Sequence, residues 1–357
     1  MKQDNQKWEI LTRGKAVYVG IDVHKESWQV TVQAEGEEVF NGRLPSQYHA
    51  LKSLFDRFSN QNIKVAYEAG PCGFWLYDKL TADGIETIVV PPSLIPIESG
   101  NKVKTDKRDS RKLANFLERN MLKRVHVLTE EERVDRELVR TRRQIVEHRS
   151  SVARQIKSKL LFYGVESPFP AKHQWSKAYI QWLREQTTNH NALALSLEFM
   201  IDLYEQLTDK IKKIMKKVIE LTKNEKYAHK VALLRSIPGV GTLIAIEILV
   251  ELQDMKRFKS AEKIASYIGL TPSEYSTGQY TRQGRITRCG NKRVRTSLVE
   301  GSWILIYRDP VMRFKYERLK RRKGGKRAII AIARNLIIRM RRMLINNEPY
   351  IVGSTVS

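Results

Sequence analysis

Asp22, Glu68, Asp106 and Asp109 are the residues of this chain best suited to act together, because each falls where a strand ends or a helix begins. Around Asp22, alternation puts Val17, Val19, Ile21 and Val23 on one face of a strand and the carboxylate on the other. Glu68 closes the apolar run from Ile63, just before Ala69-Gly70-Pro71. That presents it at the carboxyl end of a strand, the edge where open α/β sheets bind ligands. Asp106 and Asp109 open a predicted helix, and their three-residue spacing puts both on one helical face. Acids aimed at one point repel unless a cation sits between them. Oxygen-only ligands favour Mg²⁺ or Mn²⁺ over zinc, and carboxylates holding two such ions stabilise the attacking and leaving oxygens of phosphoryl transfer. Any one of these acids alone would read as a solvated or helix-capping carboxylate.

A second reactive group lies far downstream. Ser273, Ser276 and Thr277 precede Gly278, and Arg282, Arg285, Arg288 and Arg293 follow. A serine held beside a metal-bound phosphate, with arginines on the non-bridging oxygens, can attack phosphorus. The stretch reads as hydroxyls beside an arginine-rich loop; Ser-Thr-Gly is also ordinary turn composition, and no histidine lies nearby to complete a triad. Upstream, Ile237-Pro238-Gly239-Val240-Gly241 has the form of a helix-hairpin-helix. Turn amides around Gly239 and Gly241, with the next helix N-terminus, can accept a phosphate; a glycine turn between two core helices is the competing reading. Lys320, Arg321, Arg322 and Lys323 read as a basic loop before an amphipathic helix from Ala328 to Met340. That suits a phosphate clamp, or else a solvated charge run.

The elements that must position these groups follow from length and pattern. Among 357 residues, 64 Lys+Arg stand against 39 Asp+Glu, a formal charge of +25 that suits a protein neutralising the phosphates of DNA or RNA. An acidic membrane surface is the rival partner. No apolar stretch approaches the roughly 20 residues needed to span a bilayer, and the N-terminus lacks a signal-peptide core, so a soluble cytoplasmic protein is expected. Cys72 and Cys289 have no partners at zinc spacing and suggest no disulfide framework.

Length predicts two or three domains, drawn at 15–125, 126–225 and 226–345. In the first, strands from Val17 to Val23, Trp28 to Gln33 and Glu38 to Leu44 precede a helix from Ser46 to Phe58. The Glu68 strand, a helix from Phe74 to Ala82 and a strand from Glu86 to Val90 follow. That order makes a mixed sheet flanked by helices, as an RNase H-like fold requires. The middle reads as two long charged helices, one from Glu130 to Phe162. In the other, Met200, Leu203, Leu207, Ile211, Ile214, Val218 and Leu221 keep a heptad seam. They would pair as an antiparallel hairpin within one chain or as a dimerising coiled coil between protomers. The expected fold class is α/β plus α, with a mainly helical C-terminal domain.

Gly20-Ile21-Asp22-Val23-His24-Lys25, Tyr67-Glu68-Ala69-Gly70, Lys104 to Asp109, Ile237 to Gly241, and Tyr275-Ser276-Thr277-Gly278 with Gly290-Asn291 occur in that order. Across nearly the whole chain they resemble the DEDD transposases of bacterial insertion sequences, also called bridge recombinases. The resemblance implies a RuvC-like N-terminal domain with Asp22, Glu68, Asp106 and Asp109 as a Mg²⁺ or Mn²⁺ tetrad, a coiled-coil region, and a C-terminal domain carrying a serine nucleophile. It also implies a covalent phosphoserine intermediate, a structured guide RNA pairing with donor and target DNA, and a dimer or tetramer. Many relatives carry serine directly before the glycine, where this chain has Thr277. Ser276, the less hindered primary alcohol, is the favoured nucleophile and Thr277 the alternative. His24 reads as a hydrogen-bonding residue beside the metal site. A Holliday-junction-type nuclease, with water as nucleophile, and a non-catalytic nucleic-acid-binding protein are the other readings.

Overall fold

The computed structural model describes residues 8, 12–58, 62–96, 105–186, 192–277, 280–287 and 289–354, without the side chains of 275–277 and 281–283. The chain forms two compact units, 1–128 and 129–357.

The first unit is built on a five-stranded mixed sheet in the order β3-β2-β1-β4-β5. Strands β1 (Ala16–Val23), β2 (Ser27–Ala34) and β3 (Glu37–Pro45) run antiparallel as a meander. Helix α1 (Tyr48–Phe55) leads to β4 (Asn62–Glu68), parallel to β1, and α2 (Trp75–Ala82) leads to β5 (Glu86–Val90), parallel to β4. This is the topology expected from the order of the segments, with strand ends within two residues of those read from the pattern. Val17, Val19 and Ile21 are fully buried, as their alternation requires.

Helix α3 (Asp106–Glu118) covers the opposite face of β1 and β2, and a polar chain fixes it there. Gln29 donates to Asn41 at 2.8 Å, Asn41 to Thr31 at 2.7 Å, and the Thr31 and Ser110 hydroxyls lie 2.8 Å apart. Each member of this interior chain therefore has a partner. Gly20 is the notch that admits α3: a Cβ there would stand 2.1 Å from the Ser110 carbonyl oxygen and 2.5 Å from the Ala114 nitrogen. Gly20→Ala is expected to cost about 1–3 kcal/mol, the range for overpacking a filled interior. It would also push Asp106 and Asp109 away from Asp22. A lower urea midpoint together with weaker cleavage by the folded fraction checks this.

Among the described residues, the second unit is helical except for one β-ribbon. Helix α4 (Glu130–Phe162) begins at a capping box between Thr129 and Glu132. After α5 (Lys177–Glu185), α6 (Ala192–Leu221) packs against α4 as a helical pair. Trp175 stacks on Tyr204 at 4.3 Å beneath that pair, an aromatic plug absent from the heptad reading. The seam also differs from the one read in sequence. Ile201 and Tyr204 are buried on α6 while Leu203 is 44% exposed. Leu207, Ile211, Val218 and Leu221 of that seam are buried as expected, so the shift to the neighbouring apolar row is confined to the N-terminal part of α6.

Helix α7 (Glu225–Arg235) and α8 (Thr242–Leu252) flank the Pro-Gly-Val-Gly turn. Gly239 has φ +89°, and a Cβ there would meet the Gly301 carbonyl oxygen at 2.5 Å, so both conformation and packing demand glycine. Gly241 is exposed, with nothing within 4 Å of an added Cβ. Next come α9 (Ala261–Ile268), β6 (Pro272–Thr277), β7 (Tyr280–Ile286), α10 (Lys292–Arg308), α11 (Pro310–Lys323) and α12 (Gly325–Asn346). Two sequence readings are corrected here. The hydroxyl and arginine segments form an antiparallel ribbon, because their β-branched and aromatic residues pair across a short connection. Lys320, Arg321, Arg322 and Lys323 form the last turn of α11, not a loop, since only Gly324, at φ +80°, breaks the helix. Their charges there complement the helix dipole. Among the described residues no helix is long and apolar enough to cross a membrane.

Candidate active site and nucleic-acid interface

In the first unit Asp22 and Glu68 end neighbouring strands at the carboxyl edge of the sheet, and Asp106 comes close to Asp22. Ile21 pairs with Tyr67 in the parallel β1–β4 register, so Asp22 and Glu68 hold the next positions on neighbouring strands. Asp106 and Asp109 occupy the first turn of α3, where the helix dipole favours negative charge. Candidate ligand atoms of Asp22, His24 and Asp106 all lie within 4.8 Å of one another. His24 Nε2 stands 3.1 Å from Asp22 Oδ2 and 3.8 Å from Asp106 Oδ1, so the imidazole sits between the two carboxylates. This is the hydrogen-bonding place expected of His24, although the histidine also joins the ligand group. Glu68 and Asp109 are not members of that group of three; Asp109 still acts on Asp22 through its charge.

The side chain of Asp22 is 17% exposed against 55% for Asp106. Burial pushes the Asp22 carboxyl above the ordinary aspartate range; His24 opposes the shift through its charge and hydrogen bond, and Asp106 and Asp109 add repulsion. A carboxylate that is desolvated and crowded by like charge fits a cation.

In the second unit the ribbon sets the other candidate residues. Ser276 lies opposite Thr281, with the Tyr275–Arg282 and Thr277–Tyr280 pairs on either side. Arg285 is exposed, and its carbonyl accepts from the Ser273 hydroxyl at 3.1 Å. Arg288 lies outside the described residues. The ribbon springs from a neck that only glycine fits. A Cβ on Gly269 would stand 2.0 Å from the Cys289 carbonyl oxygen, and one on Gly290 would stand 2.0 Å from that of Tyr267. Asn291 then caps α10, accepting from the amides of Arg293 at 3.0 Å and Val294 at 3.2 Å, and donates to Glu251 at 2.8 Å. The Gly-Asn pair was visible in sequence, but its partner Glu251 lies 40 residues away and gives no local signal.

Two family models match the chain. The DEDD transposase model covers residues 19–165, including all four acids, and the model described as "Transposase IS116/IS110/IS902 family" covers 231–317, including the ribbon. The y4qE protein of Sinorhizobium fredii, named as a transposase, is 33% identical over 348 residues, covering 94% of this chain and 85% of the relative. The chain belongs to the IS110/IS116/IS902 transposase family. The transposase for insertion sequence element IS1533 of Leptospira borgpetersenii is 26% identical, with 94% and 97% of the two chains covered. The transposase for IS1111A of Coxiella burnetii is 24% identical, with 94% and 92% covered. As a member, this transposase cleaves and rejoins DNA strands, and DNA is its partner.

Lys320, Arg321, Arg322 and Lys323 are all exposed on this transposase. Replacing the four by Gln is expected to flatten the fall of DNA affinity with salt by about 0.9 for each phosphate no longer neutralised. Binding titrations on duplex DNA from low to high salt check this; an unchanged slope would make the run a solvated surface.

Proposed function

We propose that the chain is a metal-dependent insertion-sequence recombinase whose Asp22, Glu68, Asp106 and Asp109 hold Mg²⁺ or Mn²⁺ and whose Ser276 attacks DNA. The observation that carries the metal half is the convergence of Asp22 and Asp106 within 4.8 Å, with Asp22 desolvated. Bound there, the metal would supply Lewis-acid polarisation of the scissile phosphate. Asp22, less exposed than Asp106, fixes position; Asp106 and Asp109 draw rigidity from the first turn of α3; His24 orients Asp22 through their 3.1 Å hydrogen bond.

The nucleophile half rests on the ribbon and on the family resemblance. In the proposed step the serine Oγ–P bond forms, the bridging P–O bond to deoxyribose breaks, and the hydroxyl proton goes to the leaving 3′ oxygen. Arg282, Arg285, Arg288 and Arg293 would stabilise charge on the phosphate. The helix-hairpin-helix reading is assigned to the exposed Gly241 end of the turn, where backbone can approach closely, since Gly239 is spent on packing against Gly301. On this reading, 15–125 is the RuvC-like catalytic domain, 126–225 a coiled-coil dimerisation region and 226–345 the domain that carries the nucleophile. The +25 charge suits a complex of DNA with a structured, element-encoded guide RNA, assembled on a dimer or tetramer. The test is the chemistry of the cleaved end: an adduct that survives denaturant, against a free 5′-phosphate released by water.

A further inference from the structure

Four arginines of α4, Arg136, Arg140, Arg142 and Arg143, meet only two buried carboxylates from α8, Glu247 and Glu251, which are 9% and 3% exposed. Arg140 grips Glu251 with two parallel bonds of 2.7 Å, and Asn291 donates to the same carboxylate. Arg143 donates to one oxygen of Glu247 at 2.9 Å and the Ser297 hydroxyl to the other at 2.5 Å. Both carboxylates are thus committed.

Arg136 and Arg142 are the remainder. Among the described residues, each has a buried Nε with no hydrogen-bond partner and neither forms an ion pair. Both are half-buried. Burial holds both guanidiniums below their ordinary range; Arg140 repels Arg136, and Arg149 and Arg143 repel Arg142. The acids acting on them are Glu251 and the exposed Glu137 for Arg136, and Glu247 for Arg142. A desolvated cation without a counter-ion costs stability. Keeping two makes physical sense where a ligand brings the missing anions, and the planar fork of a guanidinium matches phosphate oxygens. Six residues rise about 9 Å along a helix, too far for one phosphate to serve both.

We infer that Arg136 and Arg142 bind the phosphodiester backbone of nucleic acid, each receiving a different phosphate. The inference does not rest on the proposed nucleophile or metal: it concerns binding and is read without cleavage.

The test is the full-length Arg136→Met, Arg142→Met double variant, which keeps much of each apolar stem and removes each charge. Its affinity for a mixed-sequence DNA duplex and for a hairpin RNA is titrated against salt, and its thermal midpoint is measured. The expected result is a higher midpoint with a log–log salt slope shallower by about two on duplex DNA, or slightly less on RNA if RNA is the ligand. The arm that changes identifies the source of the phosphates. Unchanged slopes on both nucleic acids would overturn the proposal whichever way the midpoint moved, since the arginines would then serve the fold alone. The corresponding Gln pair is read in the same way should the Met pair not stay folded.

Discussion

Asp22→Asn is expected to lower DNA cleavage about a thousandfold or more while leaving the fold and DNA affinity nearly intact. A divalent metal contributes several kcal/mol to the transition state, and each 1.36 kcal/mol is about tenfold in rate. The substitution keeps the shape of the side chain and removes only the charge that faces the cation. Stability gives a second readout with a definite sign. Burial raises the carboxyl of Asp22 in the folded state, so the native protein holds this proton more tightly than the unfolded chain does. The contribution of that group to stability is therefore fully present below the ordinary aspartate pKa and is lost as pH rises through the raised value. At neutral pH, without metal, Asp22→Asn should melt no lower than the parent. Added Mg²⁺ should raise the melting point of the parent and leave that of the variant nearly unchanged. Wild-type cleavage in the variant, or an equal Mg²⁺ response in both proteins, would contradict the role of Asp22.

The first unit was legible because its signals are local. The period-two row of Val17, Val19 and Ile21 marks β1, and the three-residue spacing of Asp106 and Asp109 marks one turn of α3. What escaped depended on partners distant in sequence or on a choice between similar local patterns. The ribbon around Ser276 has hydroxyls and glycines where a half-buried strand would show apolar alternation, so its composition reads as turn; pairing with β7 makes it a strand. On α6 the rows through Leu203 and Tyr204 are both apolar, and only α4 decides which is covered. The double glycine after Lys323 looks like a loop, yet Gly325 already begins α12. Arg140 and Glu251 are 111 residues apart, and nothing in either neighbourhood announces the pair.

The measurement that bears most directly on the central claim is capture of the protein on a suicide DNA substrate, nicked so that the leaving strand diffuses away. With Mg²⁺ present, the wild-type chain is expected to yield a covalent adduct that survives denaturant. Ser276→Ala should abolish it without altering the Mg²⁺-dependent rise in melting point. Thr277→Ala is the companion variant, made necessary because Thr277 is the hydroxyl directly before Gly278; it should retain the adduct. Loss of the adduct in Thr277→Ala with survival in Ser276→Ala would move the nucleophile by one residue. Intact adduct formation in both variants would remove the nucleophile from this ribbon. Absence of any adduct from the wild type, with free 5′-phosphates on the products, would make water the attacking group and contradict the serine mechanism.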